Sequence, residues 1–483
     1  MKIIKKIVSR IKEDAFTRIL TELTIGTLLF NLSNMFGIFF VIIIAIELLF
    51  ANEKNCLYIY IYISFFDEVL QSKYLSGSIS RIFMVIIAIK LIFNIIKQRI
   101  KPNRRELGIL LFFAFSFIIG LITYRSVSTE VIIIMFNIFI FVLFSMNIKI
   151  KSKKEQDIFI ENLLFVIVIA VLNCIFYGLL NNSFLKEIDG NNIVYRFKGT
   201  YEPNFMSLFI NLGIIALLSI KGKKIDKKMS YVLCAIMINA NIMTVSITGI
   251  ISFVITLFLY FILNKKNIKE ELKDIGIIAI VTIVFFAGLQ TYRNVLNDRN
   301  DIKANDVQEN ISKSSIEKNE EENLNVRVPQ KTGKEVIKEK SKSDFMKRFE
   351  FLQELLKKGD FNRITSGRLA LLETFSKASF NRPLINILFG NDATTKKIFS
   401  DYFGGEKYSH NSYIDILYNF GIIGFIILIV YVIYVTVKNK YLKLDLKCSY
   451  YGNSIKLIRI MLLIFAFSLS FYTKRMILVF FLL

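Results

Sequence analysis

Residues 157–180 read DIFIENLLFVIVIAVLNCIFYGLL, an apolar run from Leu163 to Ile175 interrupted only by Asn173. A helix of about 20 such residues crosses roughly 30 Å of hydrocarbon, so this stretch asks for a bilayer as its solvent. Working outward, comparable segments recur at 203–221, 229–246, 248–264 and 273–291. Upstream lie 79–96, 107–124 and 130–148; downstream lie 412–437, 455–472 and a short apolar tail at 476–483. The 483-residue chain is 54% hydrophobic. That is more than a soluble core can absorb, which excludes a soluble enzyme, a secreted disulfide scaffold and a disordered protein.

The net charge of +23 comes from 62 Lys+Arg against 39 Asp+Glu. The basic residues collect in alternate linkers: Lys97 to Arg105, Lys149 to Lys154, Lys221 to Lys228, Lys265 to Lys273 and Lys438 to Lys447. The linkers between hold few or none; Tyr124–Glu130 has only Arg125 and Val245–Gly249 has none. This alternation follows the positive-inside rule and explains much of the charge without nucleic acid as a partner. It places 181–202 and 292–411 on the outer side. The four cysteines stand singly, and His410 is the one histidine, so no multi-histidine metal site exists.

The expected fold is an all-α polytopic membrane protein of about 11 to 13 transmembrane helices with one large extracytoplasmic loop. Residues 19–50 fit one long span or two short ones, and 56–66 fit a span end or a re-entrant helix. The expected organisation is a transmembrane bundle over 1–291, an extracytoplasmic loop over 292–411, and transmembrane helices over 412–483. Within the loop, 297–344 is dense in charge of both signs and poor in large apolar groups, so it reads as mobile and solvated. Deleting 305–340 is therefore expected to leave a protein that inserts and elutes normally in detergent; a collapsed elution profile would show that the segment is packed. Residues 345–411 read as helical, with amphipathic spacing in Phe345–Lys358 and Gly367–Phe380 that suits helices lying on the membrane or over the bundle mouth.

Three polar motifs fall on the outer side. Tyr195 to Asn204 reads YRFKGTYEPN and puts Arg196, Lys198 and Glu202 at the membrane surface, with Pro203 suited to the first helical turn. That helix would aim its amides at the outer mouth, where phosphate is favoured; a solvated loop of snorkelling basic side chains fits the same spacing. Ser366, Gly367 and Arg368 open an amphipathic helix, and Arg368 is either a bidentate phosphate ligand or one loop charge among many. Tyr408 to Asp415 reads YSHNSYID; Ser412 with Asp415 fits a capping box, and His410 stands just ahead of a span as a structural group or a proton acceptor. Gly421 and Gly424, further on, suit close helix packing.

In their order these pieces resemble the O-antigen ligase and O-antigen polymerase superfamily. The resemblance rests on Arg196, Gly199, Thr200, Pro203 and Asn204 before a middle span, then Gly367-Arg368 in a large loop. Pro383-Leu384 with Phe389-Gly390 follows, then His410-Asn411 with Tyr413, and last Gly421 and Gly424. It covers about 190–430 by motif. One departure is the turn Ser246-Ile-Thr-Gly249, where many members carry Ser-Arg.

The resemblance implies a GT-C-like membrane glycosyltransferase in the bacterial cytoplasmic membrane with its active site facing outward. It implies a polyprenyl-diphosphate-linked glycan as donor and acceptor, no metal and no cofactor. It implies His410 as catalytic residue, Arg196, Arg368 and Lys198 as diphosphate ligands, and Glu202, Asn204, Asn411 and Tyr413 in support. Polymerisation of repeat units into an O-antigen, capsule or exopolysaccharide is the favoured reaction, with membrane lipid, a flippase and a chain-length regulator as partners. Transfer of a finished glycan by a ligase is the alternative. A polysaccharide transporter is the other, although no internal repeat is visible and the mid-span charges are chiefly Glu47, Lys90 and Glu161.

Overall fold

The computed structural model describes residues 14–29, 34–72, 77–101, 129–189, 192–263, 269–287, 344–360, 368–390, 411–438 and 449–467, with Leu469 and scattered positions within 107–122 and 440–446. The segment 297–343 and the tail at 476–483 lie outside the described residues, as does most of 107–124.

Helices account for nearly all of the described chain. The first six are α1 (Ala15–Leu29), α2 (Asn34–Phe50), α3 (Glu53–Ser64), α4 (Ile79–Gln98), α5 (Thr129–Asn147) and α6 (Lys153–Leu180). After a hairpin come α7 (Pro203–Ile220), α8 (Lys227–Met243), α9 (Ile247–Leu263) and α10 (269–287). The loop region contributes α11 (Asp344–Lys357), α12 (Arg368–Phe380) and α13 (Leu384–Phe389); α14 (Ser412–Val437) and α15 (Gly452–Phe465) close the series.

The stretch 19–50 is two helices, and 56–66 is not a span. Helix α3 has 12 residues and is buried along its whole length from Asn55 to Ser64. At about 1.5 Å per residue it is too short to cross a bilayer and instead fills the space beside α6. Among the described helices, α6, α7 and α14 are long and apolar enough to cross a membrane, with shorter apolar stretches in α2, α5 and α9.

Helix α7 is the hub. It packs on α6, α8, α9 and α15, and 94% of its span is buried by protein, against 33% for α14. The outer helices turn large apolar side chains outward: Phe93 and Ile96 on α4, Val254 and Phe258 on α9, Ile283 and Val284 on α10, Val430 and Ile433 on α14. Such an apolar girdle is untenable in water and fits lipid. Inside, amides join helices that have no hydrophobic drive to associate in lipid. Asn241 Nδ2 on α8 donates to Asn211 Oδ1 on α7 (2.8 Å), and Asn211 Nδ2 donates to the Gly249 carbonyl on α9 (2.9 Å).

The mid-span charges are internal fasteners. Lys90 Nζ donates to the Leu48 and Leu49 carbonyls at the C-terminal end of α2, where a cation is favoured. Glu47 pairs with Arg18 at 2.6 Å, and Glu161 accepts from Tyr451 Oη at 2.7 Å.

Two-residue strands pair at β1 (Gln71–Ser72) with β2 (Gly77–Ser78) and at β5 (Lys440–Tyr441) with β6 (Leu444–Asp445). The longer hairpin joins β3 (Phe184–Asp189) to β4 (Asn192–Phe197) antiparallel, between α6 and α7. It fills 181–202, the linker expected on the outer side.

Candidate functional site

The hairpin sets the geometry of Arg196. Its register pairs Leu185 with Arg196, so Glu187, two residues on, lies diagonally opposite on the same face and within reach of a long side chain. Arg196 Nη1 donates to both Glu187 carboxylate oxygens, at 2.8 and 3.0 Å. Its Nε donates to the Thr244 carbonyl (3.0 Å) and its Nη2 to Asn204 Oδ1 (2.9 Å). All three guanidinium nitrogens are thus engaged, and Arg196 is 5% exposed, which corrects its expected place as a surface charge. Burial lowers its pKa from the ordinary value while the Glu187 charge opposes that shift.

The rest of YRFKGTYEPN fixes this arginine. Thr200 Oγ1 donates to the Phe65 carbonyl (3.1 Å) and Tyr201 Oη to the Ser64 carbonyl (2.9 Å), capping the end of α3. Pro203 takes the first turn of α7 and Glu202 stands at its N-cap. Asn204 is the node: its Oδ1 accepts from Arg196 and from Ser246 Oγ (2.9 Å), and its Nδ2 donates to Glu202 Oε1 (3.3 Å). Lys198 is exposed.

The loop region reaches the same cluster. Helix α11 packs on β4, and Arg348 Nη1 donates to Glu187 Oε2 at 3.2 Å. Two arginines therefore share one carboxylate, and Glu202 at the N-cap of α7 supplies a second carboxylate nearby, so the four charges balance and the dipole of α7 adds a positive end beside them. Glu187 and Arg348 were not among the residues chosen from sequence. Gly190-Asn191 between FLKEID and NIVYRF is a two-residue hairpin signal, and the register it sets puts Glu187 diagonal to Arg196. Nothing in the sequence points Arg348 to this place.

A second cluster surrounds the start of α14. Asn411, not Ser412, is the N-cap: its Oδ1 accepts from the Tyr413 and Ile414 amides at 3.0 and 3.2 Å. The capping-box expectation fails because Ser412 is drawn away, its Oγ donating to the Leu469 carbonyl and its amide to the Ala466 carbonyl. Asn411 Nδ2 reaches the Phe467 carbonyl (3.3 Å), and Tyr413 Oη donates to the Leu463 carbonyl (2.8 Å). These bonds fasten α14 to the end of α15.

Helices α12 and α13 both pack on α14. Arg382 stacks on Tyr418, 4.5 Å from the ring centroid, and donates from Nη1 to its carbonyl (3.0 Å). Gly390 meets Gly421 backbone to backbone; a Cβ on either would lie 2.3 Å from the other's nitrogen, and both have positive φ. Gly421 kinks α14 at this contact. The Pro383–Gly390 element therefore docks at the kink. In α12, Leu371 and Phe375 face inward, while Leu369 and Leu372 face outward, so its apolar residues divide between protein and surroundings. Arg368 is the first residue of α12; its side chain, together with Ser366, Gly367 and His410, lies outside the described residues.

Residues 232–429 match the O-antigen ligase family. The match supports the superfamily resemblance carried by the motifs and a membrane enzyme of the ligase and polymerase type. Its segment contains Arg348, Arg368, His410 and the Gly390–Gly421 contact, whereas Glu187, Arg196 and Asn204 precede it. No curated protein and no solved structure matches the chain significantly.

Proposed function

We propose that this protein polymerises polyprenyl-diphosphate-linked oligosaccharide repeat units into a surface polysaccharide at the outer face of a bacterial cytoplasmic membrane. The observation that carries the reading is the O-antigen ligase family match over a segment holding both Arg368 and His410. The geometry of the arginine pair supports it.

In the proposed reaction an acceptor sugar hydroxyl attacks the donor's anomeric carbon. The bond from that carbon to the diphosphate oxygen breaks, and the electron pair leaves on the diphosphate. The configuration inverts, by analogy with the family. His410 takes the proton of the attacking hydroxyl. The developing phosphate charge is met by fixed groups rather than a metal ion: Arg368, Lys198, the positive end of α7, and the Arg196 and Arg348 guanidiniums that Glu187 holds in place. Asn204 and Glu202 hold Arg196 in register; Asn411 and Tyr413 hold the segment that carries His410. Arg348 takes the part of the arginine that many members carry after the serine matching Ser246, brought to the same cluster by α11. The 292–411 region, through α11 and α12, then works as a cover over the lipid-linked substrates.

The family's description as O-antigen ligase favours a second reading, transfer of a finished glycan to a different acceptor. Purified protein supplied with a polyprenyl-diphosphate-linked repeat unit in the presence of EDTA separates the two. A ladder of products is the expected result. One transfer to a different acceptor would establish the ligase. No product from several donors, with movement of the lipid-linked unit across proteoliposomes, would establish a transporter.

A further inference from the structure

At the opposite end of α6 from the hairpin, the starts of two helices meet around a cavity of about 350 Å³, a volume in the range of small-ligand sites. We propose that this cavity binds a phosphate-bearing anion. Helix α6 has 28 residues, so about 40 Å separates this end from the transfer site.

The cap residues of α3 and α6, Asn52 and Ser152, both line the cavity. Their side chains accept from the Asn55 amide (2.8 Å) and the Glu155 amide (3.2 Å). The amides just before these, at Lys54 and Lys154, have no acceptor within their helices. Two positive helix ends thus converge where one alone would be unremarkable.

The independent observation is Asn55. It lines the cavity, is 7% exposed, and its side-chain amide makes no hydrogen bond among the described residues. The rest of the residue is buried, so its amide opens onto the cavity, where a ligand oxygen can accept from it. Asn162 points the same way. Its Oδ1 is taken by Lys224 Nζ at 3.1 Å, which leaves its NH₂ group as a donor in the lining.

Charge fixes the ligand's sign. Lys54 and Lys154 line the cavity against one carboxylate, Glu155. That carboxylate is already occupied by Lys54 Nζ and by the Lys151 amide (2.8 Å). Lys154 is exposed and unpaired among the described residues, and Lys224 stands behind Asn162. Phosphate, with several strong acceptor oxygens, matches a lining of amides and ammonium groups. Ile158, half exposed, gives the cavity an apolar wall. The phosphate comes either from a lipid headgroup or from a free anion, and the chemistry of the lining is the same for both.

The test titrates full-length protein in neutral detergent with inorganic phosphate and, separately, with dihexanoyl phosphatidylglycerol. Ionic strength is fixed, sodium chloride is the control, and melting is followed by tyrosine fluorescence. A saturable rise in melting temperature is expected. In Lys154→Ala the half-saturating concentration should rise about tenfold, the loss of one charge-assisted hydrogen bond. Asn55→Asp sets a carboxylate against the anion and should abolish the rise. Lys154 is exposed, so its truncation keeps the fold and carries the test even if Asn55→Asp does not fold. A response to the lipid alone assigns a headgroup, and a response to phosphate alone a soluble anion; a response to both assigns the phosphate group itself. No saturable rise with either ligand, or an unchanged half-saturation in Lys154→Ala, overturns the proposal.

Discussion

His410→Ala is expected to leave expression and membrane insertion intact and to abolish glycan chain extension. A positioned acid or base contributes about 10²- to 10⁴-fold to a rate, and loss on that scale shortens a polymer ladder to its starting unit. His410 directly precedes Asn411, and Asn411 is pinned by its cap bonds to α14 and by its bond to the Phe467 carbonyl. Asn411 is thus held at the start of α14, the position next in sequence to the proposed base. Wild-type chain lengths in His410→Ala would reject the catalytic role.

The spans were the most legible part of the chain. Expected segments at 157–180, 203–221 and 412–437 correspond to α6, α7 and α14, because long apolar helices announce themselves by composition alone. Helix α3 was less legible. CLYIYIYISFF is as apolar as a span, yet a helix enclosed by α6 and its neighbours needs the same residues as one facing lipid, and hydropathy does not tell protein from bilayer as the surroundings.

The motifs were legible as a set, but the contacts their residues make were not. In YRFKGTYEPN, Thr200 and Tyr201 hold the end of α3, and Arg196 lies inside rather than at the surface. The pairing that buries it depends on a diagonal contact across a hairpin, and Arg348 arrives from more than 150 residues away in sequence. The hairpin is a local signal, but no local pattern encodes the arrival of Arg348. The kink at Gly421 was hidden for the same reason: its cause is Gly390 on a different element.

Arg196→Lys carries the other large expected effect. The substitution keeps the charge and a single nitrogen. Lysine can hold Glu187, but it must give up the Thr244 carbonyl or Asn204 Oδ1, which the arginine reaches at 3.0 and 2.9 Å with separate nitrogens. Asn204 Oδ1 keeps its bond from Ser246 Oγ, whereas the buried Thr244 carbonyl left without its donor costs about 1–3 kcal/mol. Part of that loss will appear as a lower melting temperature, since Asn204 also ties α7 to Ser246. The rest falls on the transition state, where the position of the cation relative to the leaving diphosphate matters more than its mere presence. Turnover is expected to fall by about 100-fold, close to the loss of one oriented donor at a developing oxyanion. The measurement is chain extension by the lysine variant well below its own melting temperature, so that stability and catalysis are read separately. If the melting temperature falls while turnover is unchanged, Arg196 is a brace for the hairpin and α7, and the diphosphate must find its cations elsewhere.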